Sequence, residues 1–298
     1  MYLRLQIVIM LLYRRLQHIS FTLFYLLSIA YSSCHNTSNN YTQRYNYNTF
    51  SKSLVLDYAL REISGMAYGQ GNLYAHNDEN GVCYILDKEN GQVLESFKMS
   101  KKGDYEAIAV SGTMPYLVNN KGTLHDSLGK KYNTAFKGKH DVEGMCFIPG
   151  TTSLLLASKA SCLNNKDKNT KCIYKYELPT NTLEEETYLT LNIDELSAFV
   201  NTQYASNSKV KKLIKRIRKF SPSGIAILPS SMDIYIISAK GSSCVVIDKN
   251  KALIEVGFFD ENILPQPEGI TFDDENNLFV AGEGKSRSGK IFKFAPLY

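Results

Sequence analysis

The stretch Gln266-Pro267-Glu268-Gly269-Ile270-Thr271-Phe272-Asp273, followed by Asn277-Leu278-Phe279-Val280-Ala281-Gly282-Glu283, decides the fold, because the chain repeats it. Earlier copies read Arg61-Glu62-Ile63-Ser64-Gly65-Met66-Ala67, Gly103-Asp104-Tyr105-Glu106-Ala107-Ile108-Ala109, His140-Asp141-Val142-Glu143-Gly144-Met145-Cys146 and Ser221-Pro222-Ser223-Gly224-Ile225-Ala226. Gly65, Ala107, Gly144, Gly224 and Gly269 hold the equivalent place, 42, 37, 80 and 45 residues apart. A period near 40 residues carried by short strands and turns is the signature of a β-propeller, each repeat being one four-stranded blade. The expected fold is all-β, a propeller of about five four-stranded blades.

Turn chemistry agrees with this. Asn80-Gly81 and Asn90-Gly91 separate strand-like runs, and both residues tolerate the positive φ of a tight hairpin turn. The fifth copy has only three strands before the chain stops. Residues 53–59, ahead of the first copy, have the right length to supply the fourth and close the ring, which removes an open sheet edge. The 80-residue step holds an insertion: residues 192–219 contain no Gly and no Pro, whereas another blade would need tight turns. Asn192 with Glu195 reads as a capping box, with Leu196, Phe199, Val200 and Tyr204 behind it at helical spacing. A second helix has Val210, Leu213, Ile214 and Ile217 on one face, surrounded by Lys209, Lys211, Lys212, Lys215, Arg216, Arg218 and Lys219. That basic helix is either a solvated element on the propeller rim or a contact for anionic lipid headgroups or an acidic partner.

Charge bounds the function classes. The formal charge is +5, but Arg4, Arg14 and Arg15 and the seven cations of 209–219 more than supply it, leaving the rest at −5. No basic face spans the body, which argues against nucleic acid as a partner. Nothing in the sequence calls for an oligomer, so a monomer is expected. Residues 1–33 have basic residues followed by an apolar run from Phe21 to Ala30, the layout of a secretory signal peptide, too short for a spanning helix. Ser32-Ser33-Cys34 resembles a bacterial lipobox, which makes Cys34 the lipidated first residue of an exported chain anchored to the outer membrane or cell envelope. Residues 34–52 read as the lipidated cysteine and a flexible tether, and 53–298 as the propeller domain.

The compartment permits disulfides. Cys162 and Cys172 flank a polar loop and are the candidate pair; Cys83, Cys146 and Cys244 read as small buried hydrophobes. His-Glu-x-x-His, Cys-x-x-Cys and Gly-x-Ser-x-Gly are absent. Gly284-Lys285-Ser286 mimics the end of a phosphate loop without its upstream glycine. His76 and His140, nearest the repeat, are either bases or satisfied structural residues.

In a propeller the first strand of each blade lines the axis, and its start meets the end of strand two on one face. That face collects Glu106, Glu143 and Glu268, with Ser64 and Ser223 in the equivalent places. Glu62, Asp104, Asp141, Ser221 and Gln266 stand two residues back. Strand-two ends add Asp78, Glu79, Asn120, Lys159, Lys240 and Glu283. Converging carboxylates must bind a cation, pair with lysine or hold a proton. Ca²⁺ suits a ring of oxygens; the alternative is that Lys159 and Lys240 neutralise the glutamates. The candidate ligand or metal residues are therefore Glu62, Asp78, Glu106, Glu143, Lys159, Lys240, Glu268 and Glu283.

The ordered series Glu62-Ile63-Ser64-Gly65-Met66-Ala67 with Leu73-Tyr74-Ala75-His76-Asn77-Asp78-Glu79, Asp104-Tyr105-Glu106-Ala107, Val142-Glu143-Gly144-Met145, Pro222-Ser223-Gly224-Ile225-Ala226 and Gln266-Pro267-Glu268-Gly269 resembles the SdiA-regulated family of bacterial β-propellers, from about Leu54 to the C-terminus. Ala107 and the insertion 192–219 depart from its pattern. The resemblance implies an exported propeller of about five blades, with a layout similar to calcium-dependent propeller hydrolases. Two functions follow as expectations. One is a ligand-binding or interaction module taking a small molecule, glycan or protein at the carboxylate-lined mouth. The other is a Ca²⁺-dependent hydrolase of an ester, lactone or phosphoester, with Glu106, Glu143 and Glu268 holding the metal.

Overall fold

A computed structural model describes residues 43–298 apart from 135, 137–140, 161, 285 and 286. The expected signal peptide and Cys34, together with His140, Lys285 and Ser286, lie outside the described residues. Gln43–Tyr298 form one compact unit, and no helix among the described residues is long and apolar enough to cross a membrane.

Strand β1 is Lys52–Val55. Blade one is β2 (Ile63–Gly69), β3 (Asn72–Asn77), β4 (Val82–Asp87) and β5 (Val93–Lys98). Blade two is β6 (Tyr105–Ser111), β7 (Met114–Asn119), β8 (Thr123–Asp126) and β9 (Lys131–Asn133). Blade three is β10 (Val142–Phe147), β11 (Ser153–Ser158) and the long β12 (Thr170–Glu177), whose outer edge is shared by β13 (Thr182–Leu183) and β14 (Leu189–Asn192). Blade four is β15 (Gly224–Leu228), β16 (Asp233–Ser238), β17 (Ser243–Ile247) and β18 (Leu253–Phe258). Blade five is β19 (Pro267–Phe272), β20 (Leu278–Gly282) and β21 (Lys290–Phe294), and β1 pairs antiparallel with β21 to complete it. The five sheets form a ring, each inner strand packing on the next: β2 on β6, β6 on β10, β10 on β15, β15 on β19 and β19 back on β2. The protein is a five-bladed propeller closed by its N-terminal strand.

The repeated Gly position has a packing cause. A Cβ on Gly269 would lie 2.9 Å from Met66 Cβ of the next blade, and one on Gly224 would lie 2.9 Å from the Glu268 carbonyl oxygen. Inner strands crowd most tightly where they converge on the axis, and only the smallest residues admit that approach.

Between blades three and four lie α1 (Ile193–Gln203) and α2 (Val210–Ile217). The Asn192 side chain accepts from the backbone N–H groups of Asp194 and Glu195, satisfying donors that a helix start leaves open. Leu196, Val200 and Ile217 are buried against blade four. Arg216 fixes α2: its guanidinium donates to the carbonyls of Gly241, Ser242 and Phe259 and sits 3.4 Å from Glu261. That residue is a structural clamp rather than part of a free basic face.

The tether expectation needs correcting from residue 43 onward. Tyr45 is fully buried and Tyr47 nearly so, packed on Tyr235, Phe259 and Phe272, and the Tyr45 hydroxyl donates to the Asn276 carbonyl. The segment has no apolar periodicity because it is irregular chain, with a turn at Tyr47–Asn48 and an isolated bridge from Tyr45 to Pro296, packed against blades four and five. Phe50 against Phe292 and Arg44 beside Asp233 add to these aromatic anchors.

Candidate functional site

Each inner strand begins with an irregularity. Antiparallel register slips at Ser64, Glu106, Glu143 and Glu268. In blade four, the Ser223 N–H donates to the Ile237 carbonyl while Gly224 is also opposite Ile237. All five repeat positions are therefore bulges, which re-aim a side chain. Residues two further on, Met66, Ile108, Met145, Ile225 and Ile270, are all buried and form an apolar ring across the axis. Above that ring, Glu106, Glu143 and Glu268 line a cavity of about 10 Å³, room for roughly one water.

The structure brings Glu106, Glu143, Glu268 and Lys159 together. Lys159 Nζ donates to Glu143 Oε1 at 2.6 Å. Burial pushes the Glu106 carboxyl up to about 8, helped by Glu143 and Asp104 and opposed by Lys159. Burial also lifts Glu268 well above the ordinary carboxylate range, reinforced by Glu283 and Glu143. Glu143 is raised by the same desolvation, against the pull of Lys159. Burial works to lower Lys159, but Glu143, Glu268 and Glu106 outweigh it and hold the ammonium charged. Glu106 thus keeps its proton at neutral pH beside the Lys159–Glu143 contact, and burial biases Glu268 in the same direction.

The other expected residues serve differently. Ser223 is a lock between blades: its hydroxyl donates to the Pro267 carbonyl at 2.6 Å and accepts from Ala239 N–H. Ser221 donates to the Lys159 carbonyl. Glu62 pairs with Arg61 at 3.3 Å in a half-exposed position. Asp78 is half-buried, its carboxyl raised by desolvation and then by Glu62 and Glu79, and its Oδ1 finds no hydrogen-bond partner among the described residues. Glu283 acts on Glu268 through charge. His76 is fully buried and pushed down to about 4 by desolvation, so its ring is neutral. Its Nδ1 lies 2.9 Å from the Asn77 carbonyl, which assigns the proton to Nδ1.

Lys240 does not neutralise a glutamate. It lines a second, open cavity of about 520 Å³ on the same face, between blades three and four, with Lys159, Lys168, Lys171, Arg218 and Lys219. The hairpin carrying Lys168 and Lys171 is closed by a disulfide between Cys162 and Cys172, Cα atoms 5.4 Å apart. Sequence reasoning missed this cavity; its signal was the lysine-rich loop 166–171 and the end of the basic run. Cys83 and Cys244 are buried thiols, and Cys146 is partly covered.

Among the described residues, no three His, Cys, Asp or Glu side chains are grouped as metal ligands. The Lys159 ammonium already lies against Glu143, where a calcium ion bound to that glutamate would have to sit. The axial residues therefore do not fit calcium.

No family model matches the chain, and no curated protein matches it. Among solved structures, the crystal structure of Myxococcus xanthus glutaminyl cyclase is similar, with a TM-score of 0.54 at 13% identity, covering 83% of this chain and 95% of that one. A nidogen/laminin complex superposes at a TM-score of 0.47 with 10% identity, over 78% of this chain and 82% of that one. Virginiamycin B lyase from Staphylococcus aureus reaches 0.42 with 12% identity, over 78% and 66%. At 13% identity the first likeness is one of fold.

Proposed function

We propose that this protein is an exported, lipid-anchored propeller of the SdiA-regulated kind that binds a polar ligand at the bulged mouth of its axis. The observation that supports the reading is the axial cluster: a Lys159–Glu143 pair at 2.6 Å with Glu106 and Glu268 beside it, both carboxyls biased by burial toward their protonated forms. A protonated carboxyl both donates and accepts hydrogen bonds. That mixture suits the hydroxyls of a glycan or the amides of a peptide. The apolar ring below closes the axis, so a ligand rests on this floor rather than passing through. The calcium-dependent hydrolase is the weaker reading, because it needs a cation where Lys159 stands.

The test is thermal melting of the full chain against a panel of oligosaccharides and short peptides, and separately against Ca²⁺, each repeated on Glu268→Gln. The expected result is a ligand-specific rise in Tm that Glu268→Gln abolishes, with none from Ca²⁺. A Ca²⁺-dependent rise lost in Glu143→Gln would establish the metal-dependent alternative instead. Silence from the whole panel would overturn the axial site. The anchor is tested by labelling cells with a radioactive fatty acid: incorporation lost in Cys34→Ala is expected, and label retained in that variant would sink the lipidation.

A further inference from the structure

The cavity between blades three and four is chemically unlike the axis, although Lys159 borders both. Six cations line it, against the single carboxylate of Asp141. Lys159 is committed to Glu143. Among the described residues, none of Lys168, Lys171, Arg218, Lys219 and Lys240 takes part in a salt bridge. Among the described residues the Lys171 ammonium donates to the Lys159 carbonyl, at 3.1 Å, which satisfies a donor without neutralising the charge. Burial and then the neighbouring Lys240 press the Lys171 ammonium below its ordinary value, with Asp167 opposing. Like charges crowded at a half-buried place cost free energy, and an anion relieves that cost.

Three separate elements converge to build the cavity. The disulfide-closed hairpin supplies Lys168 and Lys171, the end of α2 supplies Arg218 and Lys219, and the end of β16 supplies Lys240. Outside its N-terminal stretch and basic run the chain is net acidic, so the concentration of cations here is local. Its volume, about 520 Å³, falls within the range of small-ligand sites. We propose that this cavity is a second binding site, for a small polyanion bearing phosphate groups. It goes beyond the axial reading and does not depend on it, because none of the five unpaired cations belongs to the axial cluster. Ammonium and guanidinium groups from three directions match the distributed charge of an oligophosphate better than a single carboxylate.

The experiment is calorimetric titration of the full-length protein with inorganic tripolyphosphate at low and moderate salt. The expected result is saturable one-to-one binding that weakens as salt rises. Lys171→Gln combined with Lys240→Gln should weaken it about tenfold or more, the loss of two charge-assisted contacts. Lys211→Gln combined with Lys215→Gln, on the same basic run but outside the cavity, should leave it within about twofold, as expected of screened surface charge. Lys240→Glu, at an exposed position, provides a second variant with little risk to folding and should abolish binding. Binding that persists in Glu268→Gln is expected and separates this site from the axial one. Absence of saturable binding to the wild type overturns the proposal, as does an equal loss in the two double variants. A phosphate borne on a lipid is distinguished by co-sedimentation with phosphatidylglycerol vesicles: competition by tripolyphosphate supports the cavity, and vesicle binding that tripolyphosphate leaves untouched, without calorimetric binding, overturns it.

Discussion

The two mouths of the propeller axis are built by the same five inner strands and treat their carboxylates differently. At the bulged mouth, Glu106, Glu143 and Glu268 stand over the ring of Met66, Ile108, Met145, Ile225 and Ile270. At the other mouth, residues two further along, Tyr68, Val110, Phe147, Ile227 and Phe272, line a cavity of about 210 Å³ that also takes in Asp273 and Asp274. Both mouths include carboxylates, so composition does not separate them. Burial works to raise Asp273, but the Asn277 side chain and backbone N–H and then Lys88 outweigh it and hold the carboxyl below its ordinary value. Glu106 is half-buried, has no comparable donors among the described residues, and is raised by desolvation to about 8. A carboxylate supplied with donors is part of the frame. One buried without them is left for a ligand to satisfy.

The apolar ring keeps the mouths apart, and removing one member is the largest break available. Ile270→Ala is expected to cost about 2–5 kcal/mol, the usual price of truncating a fully buried aliphatic side chain, measured by urea denaturation. A cost below about 1 kcal/mol would mean that the ring does not pack tightly and that the axis is open. Next comes Asp273→Asn. Lys88 lies 3.2 Å from its Oδ2, and Oδ1 accepts from Asn277 and Glu275 N–H groups. Charge-assisted hydrogen bonds of this kind contribute about 1.5–3 kcal/mol, so a loss of about 2 kcal/mol is expected. The sign with pH is fixed by the lowered folded value: this stability is present above the unfolded value and disappears as pH falls through the folded one. An Asp273→Asn variant whose stability matches the wild type at pH 7 would erase the contrast between the mouths.

How much of this was legible in the sequence differs between the frame and the site. Five repeats, closure by the N-terminal strand and the Asn192-capped insertion were readable, because period, turn chemistry and capping are local signals. The bulge at every repeat was not, although its residues were in plain sight. A register slip is a property of two strands, and Glu143-Gly144 alone does not say that both residues face one partner. Lys159 and Lys240 occupy equivalent strand-two ends, yet one pairs with Glu143 and the other turns to Lys171. What separates them is the hairpin closed by Cys162 and Cys172 and the end of α2, contacts between distant parts of the chain. Tyr45 and Tyr47 escaped notice for the opposite reason: a docked irregular segment carries no period to detect.

A smaller effect of opposite sign sharpens the comparison. Glu106 has a folded value above its unfolded one, so its contribution is fully present below about pH 4.5 and is lost as pH rises through about 8. Glu106→Gln should therefore flatten the fall in stability across that window. It should leave the protein about 1 kcal/mol more stable than wild type at pH 8, a figure well below the full linkage value of about 1.4 kcal/mol per pH unit because the group keeps some contact with water. Paired melting curves at pH 5 and pH 8 check it. A variant less stable than wild type at both values would mean that Glu106 is held by donors, as Asp273 is.

The smallest effect is expected at Asp274, in the cavity of that other mouth. Tyr68 donates to its Oδ2 at 2.7 Å, but the contact is exposed, and water replaces a lost partner there at little cost. Asp274→Asn should change stability by less than about 0.5 kcal/mol. The value of so small a prediction is its position, only one residue from Asp273. If burial and donors decide what a carboxylate does in this propeller, neighbouring aspartates must differ severalfold in effect. Equal losses at Asp273 and Asp274 in the same denaturation series would show that the strand end responds as a unit, and that the division between frame and site has to be drawn between elements rather than between side chains.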